Sequence, residues 1–93
     1  MEKKDEKFLP IGTVVLLEGG QRKVMITGFC CTDSESPEEI FDYSGCVYPE
    51  GFVTYDQIGL FNHDQIKEVF YMGLVNEEEK VFKDYLNRVL KLQ

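Results

Sequence analysis

The chain has no tryptophan, one histidine and three cysteines among its 93 residues, and these scarcities narrow the chemistry that it can perform. Cys30, Cys31 and Cys46 form no Cys-x-x-Cys pair, and neighbouring cysteines cannot bridge each other without strain. A zinc site joining them to His63 would lack a recognisable ligand spacing. The sequence therefore predicts free thiols, with no metal and no cofactor.

Catalysis by a thiol would require Cys46 or Cys31 beside His63, with a third group to orient the ring. A pair of this kind can be proposed for any chain with one histidine and three cysteines, so the composition is not specific evidence for catalysis. We therefore expect a protein that is not an enzyme. A small Cys/His enzyme is the rival hypothesis. Alanine substitution of His63 and of each cysteine would eliminate it if function persisted.

Long apolar runs are also missing. Val14–Leu17 spans four residues, whereas a membrane-spanning helix needs about 20. Met1–Lys7 is charged and has no apolar signal core, so the sequence predicts a cytoplasmic protein that does not enter a membrane. We expect residues 1–7 to be frayed and residues 8–93 to form a single domain.

Positive charge is absent between Lys23 and Lys67. The eight acidic residues of this interval are Asp33, Glu35, Glu38, Glu39, Asp42, Glu50, Asp56 and Asp64. They contribute −8, and the two ends of the chain together carry +1, which gives the net charge of −7. Such a charge disfavours binding to nucleic acid and favours a basic protein partner. A solvated acidic loop that keeps the protein soluble is the simpler alternative.

The first elements are predicted by β-branched runs around a glycine turn. Thr13–Leu17 is predicted to be a strand buried on both faces, and Arg22–Phe29 is predicted to be its hairpin partner. In the second strand, one face would carry Val24 and Ile26, and the other would carry Met25, Thr27 and Phe29. The polar stretch Cys30–Glu39 predicts a loop. Ser36, Pro37 and Glu39 would start a short helical turn within it.

The segment Phe41–Gly51 is predicted to be the central strand and its closing turn. Phe41, Tyr43 and Val47 alternate with Asp42, Ser44, Cys46 and Tyr48, which predicts one apolar and one mixed face. Gly45 indicates a bulge or the close approach of another element, because glycine otherwise weakens a strand. Pro49 and Gly51 end the strand in a turn.

The remaining chain predicts one short and one long helical element. Asn62 and Gln65 form a capping box before the strand Lys67–Leu74, in which Val69 and Tyr71 oppose Phe70, Met72 and Leu74. Asn76 caps a helix over Glu77–Leu92. Its apolar stripe consists of Phe82, Tyr85, Leu86, Val89 and Leu90. Phe52–Gly59 is ambiguous between loop and extended structure.

These elements predict an α+β fold, in which a small curled antiparallel sheet or partial barrel of about four to five strands is covered by the C-terminal amphipathic helix. Aromatic residues concentrate in the acidic middle of the chain, and tyrosines beside turn glycines suit protein contacts. The candidate partner-binding surface comprises Tyr43, Tyr48, Pro49, Glu50, Gly51, Phe52, Asn62, His63 and Asp64. The aromatic set also includes Tyr55 and Phe61, and we expect at least half of its members to pack in the core instead.

Four runs of the chain carry a family resemblance. They are Leu-Pro-Ile-Gly-Thr-Val-Val-Leu-Leu from Leu9, Gly-Gly with Lys-Val-Met-Ile-Thr-Gly over Gly19–Gly28, Phe-Asp-Tyr-Ser-Gly-Cys-Val-Tyr-Pro-Glu-Gly from Phe41, and Leu-Phe-Asn-His-Asp-Gln-Ile with Val-Phe-Tyr-Met-Gly over Leu60–Gly73. With these runs the chain resembles the domain-of-unknown-function family 4176 of Gram-positive bacteria. The double cysteine Cys30-Cys31 looks individual to this chain.

The resemblance implies a cytoplasmic protein encoded in a type VII secretion locus, beside large toxins and their helical partners. It implies an accessory or chaperone-like role in which the protein binds a toxin or effector before export, and it supplies no catalytic residues. An immunity protein that blocks a cognate toxin is the alternative, and rescue from toxicity would separate the two. A regulatory subunit that forms a homodimer through a sheet edge or the helix is also open.

Overall fold

The computed structural model describes residues 7–33, 35–54 and 58–91. The predicted α+β fold is confirmed, as an open antiparallel sheet of five strands in the order β4-β3-β2-β1-β5 with a C-terminal helix. The elements are β1 (Val14–Leu17), β2 (Lys23–Asp33), β3 (Ser36–Val47), β4 (Gly59–Phe61), a 3₁₀ turn (His63–Gln65), β5 (Ile66–Tyr71) and α1 (Glu77–Lys91). Residues 1–6 and 55–57, which include Tyr55, and the predicted helix end at Leu92 lie outside the described residues.

The sheet is strongly curled, because consecutive strands occupy its opposite edges. β4 ends at Phe61 and β5 begins at Ile66, yet three strands lie between them in the sheet. A flat sheet would separate these edges by about 19 Å, whereas five residues reach about 17 Å at most and the 3₁₀ turn shortens that span. The short link therefore draws the two edges together around the core.

The concave face of the curled sheet holds the core. Its buried members are Leu9, Val15, Ile26, Tyr43, Phe61, Ile66 and Val69. The predicted hairpin of β1 and β2 is confirmed, with Val15 opposite Val24, and Val14 and Val15 are both buried as their run predicted. Gly45 also behaves as predicted, because a Cβ atom there would lie 2.6 Å from Cγ1 of Val24 and 3.0 Å from Cε1 of Phe61.

The loop predicted over Cys30–Glu39 is wrong, and so is the helical turn at Ser36. β2 and β3 continue through this stretch as a two-stranded ribbon in which Cys31 lies opposite Phe41 and Thr32 opposite Ile40. The polar side chains favoured a loop, but pairing between the two long strands satisfies the backbone N–H and C=O groups and does not require an alternating apolar pattern. Glu38 and Glu39 are exposed on this ribbon.

Two irregularities in the ladders reverse predicted side-chain directions. The register shifts between Ile26 and Gly28, so the half-buried Phe29 packs against the core with Ile26 rather than on the opposite face. The β1–β5 ladder shifts at Val14, which lies opposite Tyr71 while Val15 lies opposite Val69. Tyr71 consequently leaves the face of Val69 and is 65% exposed. A bulge of one residue has this effect because side-chain facing alternates at every residue.

Helix α1 begins where Asn76 predicts, since the amide N–H of Glu79 donates to Oδ1 of Asn76 at 3.0 Å. It packs on the sheet through Leu86 and through Phe82, whose ring lies 5.9 Å from that of Phe29. The predicted stripe is only partly buried, because Tyr85 is 50% exposed and Phe82 47% exposed. No helix in the described part of the chain is long and apolar enough to cross a membrane.

Candidate partner-binding surfaces

The structure divides the predicted surface between the two ends of β3. Tyr48, Pro49 and Glu50 are exposed in the turn that follows β3, next to the 55% exposed Phe52. Asn62–Asp64 lies beside Asp42, near the other end of the buried part of β3. Six strand residues separate the two groups, which corresponds to about 20 Å. They are therefore two surfaces rather than one.

Tyr43 belongs to neither surface, because its side chain is fully buried. The amide N–H groups of Phe8 and Leu9 donate to the Tyr43 hydroxyl oxygen, with N···O distances of 2.9 and 3.1 Å. Phe8 adopts a φ of 65°, an unusual conformation for a bulky residue. Tyr43 thus anchors the segment before β1, and burial raises the pKa of its hydroxyl to about 12.

His63 completes this buried network from the 3₁₀ turn. Its Nδ1 lies 2.7 Å from the Tyr43 hydroxyl oxygen. Because both oxygen lone pairs already accept backbone N–H groups, the hydroxyl proton points at Nδ1, and a neutral imidazole carries its proton on Nε2. That Nε2 is buried and has no hydrogen-bond partner among the described residues.

Asn62 and Asp42 fix the 3₁₀ turn against β3. Asn62 Oδ1 accepts the amide N–H of Asp42 at 3.0 Å, and Asp42 Oδ2 accepts that of His63 at 2.9 Å. The predicted capping box of Asn62 with Gln65 is present. Lys7 reaches the other Asp42 oxygen at 3.2 Å. Asn62 and His63 therefore have structural roles, and Asp64 is the exposed member of this group.

In the described part of the chain, no hydrogen bond joins a thiol to the imidazole ring. Cys46 is buried opposite Met25, and it faces away from Tyr43 and Gly45 because the β3–β4 ladder is regular over Tyr43–Gly45. The ring of His63 lies against Tyr43, on the core side. The half-buried Cys31 lies 3.5 Å from the carbonyl oxygen of Phe29. Burial, then the nearby Asp42 carboxylate, raises the pKa of Cys30, which disfavours a reactive thiolate there.

The turn after β3 is held by an exposed ion pair. Arg22 bonds the Glu50 carboxylate and, at 3.2 Å, the carbonyl oxygen of Tyr48. This contact lowers the pKa of Glu50 and raises that of Arg22. Gly51 adopts a φ of 81° and donates its amide N–H to the carbonyl oxygen of Val47 at 2.8 Å. The arrangement leaves the Tyr48 ring 46% exposed at the sheet surface.

A groove on the convex face of the sheet adjoins this turn. We call it the outer-face groove; it has a volume of about 470 Å³ and is lined by Gly12, Val14, Lys23, Met25, Tyr48, Phe70 and Tyr71. Three of its aromatic side chains are substantially exposed, with Tyr48 at 46%, Phe70 at 44% and Tyr71 at 65%. The Lys23 ammonium lies 4.6 Å from the centre of the Phe70 ring, a cation–π contact.

Sequence reasoning placed Tyr48 on a contact surface but missed Phe70 and Tyr71. Strict alternation along β5 assigned Tyr71 to the face of the buried Val69. The register shift brings both aromatics to the same outer groove. Four large apolar residues follow one another over Val69–Met72. This run is the sequence signal that side chains here do not alternate strictly between a buried and an exposed face.

No acidic residue is among those that line the outer-face groove, and the ribbon glutamates lie away from it. Glu35, Glu38 and Glu39 are exposed on the β2–β3 ribbon. Asp42 and Glu50 instead bond Lys7 and Arg22, which offsets their charge. The ribbon glutamates and the apolar anchors thus occupy different parts of the molecule, whereas the exposed Glu68 lies on β5 two residues before Phe70.

No group of three His, Cys, Asp or Glu side chains is placed to hold a metal ion in the ranges that the structure describes. In comparisons with known proteins, the family model described as a domain of unknown function (DUF4176) matches residues 8–82. No curated protein and no solved structure matches this chain.

Proposed function

Because this chain belongs to the DUF4176 family, whose description assigns no activity, we propose its function from its surfaces: it is a non-catalytic accessory protein that binds a protein partner. The partner in this proposal is a toxin or effector exported by a type VII secretion system and encoded by a neighbouring gene. The protein would hold it in the cytoplasm before export, as a chaperone does. The outer-face groove is the proposed contact site.

The observation that supports this proposal is the clustering of exposed aromatic side chains around an apolar floor. Tyr48, Phe70 and Tyr71 surround Val14, which is only 7% exposed. Tyrosine and phenylalanine are enriched in protein interfaces, and tyrosine is among the residues that most often contribute a large share of the binding energy. A groove of this kind suits a segment that inserts apolar side chains.

Charge suggests what surrounds those apolar side chains on the partner. The chain carries a net charge of −7, so a basic surface is attracted to it at long range. Lys23 and Arg22 lie near the groove, so the contact itself is balanced rather than acidic. We therefore propose a partner segment with apolar anchors on a net basic protein.

The test is co-expression of the whole chain with the tagged product of each flanking gene, followed by affinity purification and calorimetry on the captured pair. Tyr71→Ser should weaken binding at least about tenfold, because it removes an exposed anchor without disturbing the core. Leu74→Ser is the matched control, since Leu74 is 73% exposed but lines a different groove, beneath α1.

Equal effects of the two substitutions, or a chain that captures none of the neighbouring products, would contradict the proposal. Co-expression also separates the roles of chaperone and immunity protein. A chaperone raises the amount of soluble toxin and its export, whereas an immunity protein rescues growth while the toxin remains active in the same cell. Rescue without any change in export would favour the immunity role.

A further inference from the structure

Helix α1 presents a second apolar face that the sheet does not cover. On the face towards the sheet, Leu86 is buried. The Lys83 ammonium lies 3.6 Å from the Glu79 carboxylate, and the two side chains are only 19% and 15% exposed, respectively. Val81 and Tyr85 remain 58% and 50% exposed. They belong to a shallow surface depression of about 550 Å³ lined by Glu77, Glu78, Val81, Phe82, Tyr85 and Arg88.

The spacing on this face is that of a helix-pairing seam. Glu78, Val81, Tyr85 and Arg88 follow one another at intervals of three, four and three residues, the alternation that keeps side chains along one seam between two helices. Phe82 flanks the seam, and its ring stacks on Tyr85 with centroids 6.2 Å apart. The two apolar positions lie in the middle, and the two charged positions lie at the ends.

The charges on this seam complement those of a second copy in one orientation. An antiparallel copy related by a two-fold axis beside Lys83 places Glu78 opposite the second copy's Arg88, and Val81 opposite its Tyr85. Each contact occurs twice because the interface is isologous. A parallel copy would instead place Glu78 on Glu78 and Arg88 on Arg88, with repulsion at both ends.

The rest of the helix favours the same orientation. Its first turn carries Glu77, Glu78 and Glu79, whereas Arg88 and Lys91 are the charged residues of its last four positions. Antiparallel pairing sets the acidic start of each helix against the basic end of the other and aligns the helix dipoles favourably. The 15 residues of α1 extend about 22 Å, which accommodates the four seam positions.

We propose that the protein forms a two-fold homodimer in which α1 packs antiparallel against α1 of a second copy. The interface consists of two Val81–Tyr85 contacts flanked by two Glu78–Arg88 ion pairs. This proposal is independent of the outer-face groove, because α1 packs on the concave side of the sheet through Phe29. The dimer would present two outer-face grooves to its partners.

Charge reversal tests this arrangement. The mass of the whole chain is measured by light scattering and sedimentation across a range of concentrations, where the dimer has twice the single-chain mass of 10.8 kDa. Glu78→Arg and Arg88→Glu should each weaken dimerisation at least about tenfold, because each places like charges together at both ends of the seam. The double variant should restore it to within about threefold of the wild type.

Lys80→Glu is the matched control, because it makes the same change in net charge as Arg88→Glu at an exposed position off the seam. Circular dichroism of every variant checks that α1 is retained. A wild-type chain that stays monomeric at high concentration would overturn the proposal. So would a dimer that ignores both single reversals, or a double variant that remains as weak as the single ones.

Discussion

At the scale of single residues, the Tyr43 hydroxyl joins three parts of the chain that are distant in sequence. The hydroxyl oxygen accepts the backbone N–H groups of Phe8 and Leu9 and lies within hydrogen-bond distance of Nδ1 of His63. Its own ring stacks on Phe61, with centroids 5.3 Å apart. The sequence predicted the strand that carries Tyr43 but not this role, because the partners of a buried hydroxyl depend on tertiary contacts.

Tyr43 predicts a loss of stability in alkaline solution. Burial raises its pKa from 10.0 to about 12 in the folded chain, so between these pH values the unfolded chain releases a proton that the folded chain keeps. The unfolded state therefore gains in relative stability as pH rises. A pKa shift of this size corresponds to about 3 kcal/mol of folding stability. This contribution is fully present below pH 10 and is lost as the pH rises through about 12.

The measurement is urea unfolding of the wild type and of Tyr43→Phe at several pH values between 8 and about 12. Tyr43→Phe should be less stable at pH 8 by about 1–3 kcal/mol, because it leaves buried backbone N–H groups without an acceptor. Its stability should then fall less steeply above pH 10. Parallel pH profiles for the two proteins would contradict the raised pKa.

At the scale of elements, β3 is the strand on which the others depend. It pairs with β2 from Ile40 to Val47 and again at Ser36, and with β4 over Tyr43–Gly45. Gly45 allows this dense packing, because both the Val24 side chain and the Phe61 ring occupy the space where a Cβ atom would lie. Its cross-strand neighbour Gly59 is exposed, and nothing lies within 4 Å of the position that a Cβ atom would take there.

This pair of glycines gives a matched stability prediction. Gly45→Ala should lower the free energy of unfolding by about 1–3 kcal/mol or more, because the Met25 carbonyl oxygen, 2.9 Å from the added atom, belongs to the ladder and cannot rotate away. Gly59→Ala should change it by about 0.5 kcal/mol at most. Urea unfolding measures both, and similar values for the two variants would show that β3 adjusts to the extra atom.

The elements also show which structural features can be predicted from local sequence patterns. The hairpin β1–β2, the Asn76 cap and the special position of Gly45 follow from propensity, capping and the size of glycine, and the structure confirms all three. The ribbon over Cys30–Ile40 was missed because its strands are stabilised by pairing with each other rather than by an apolar pattern. The outer-face position of Tyr71 was missed because a bulge depends on the neighbouring strand.

At the scale of the whole molecule, the acidic ribbon is separated from the apolar contact surface. The exposed glutamates of the ribbon lie apart from Tyr48, Phe70 and Tyr71, whose surroundings include Lys23 and Arg22. In the proposed complex, the ribbon would then attract a basic partner without forming the interface. Long-range attraction acts mainly on the association rate, whereas buried apolar anchors act mainly on dissociation.

This separation predicts different salt dependences for the two rate constants of the captured complex. Raising NaCl from about 10 mM to about 500 mM should slow association at least about tenfold, because the screening length falls from about 30 Å to a few ångströms. Dissociation should change by less than about threefold, since apolar contacts are not screened. Tyr71→Ser should do the reverse, accelerating dissociation while leaving the association rate and its salt dependence nearly unchanged.

A variant of the ribbon tests the contribution of its charge. Replacing Glu38 and Glu39 by glutamine should reduce the salt dependence of association, because both side chains are exposed and no apolar side chain is removed. Stopped-flow measurements of both rate constants separate the contributions. An association rate that ignores salt would contradict the long-range attraction. A ribbon variant that mainly accelerates dissociation would instead show that the acidic ribbon lies within the interface, and the partner would then contact both surfaces of this small sheet at once.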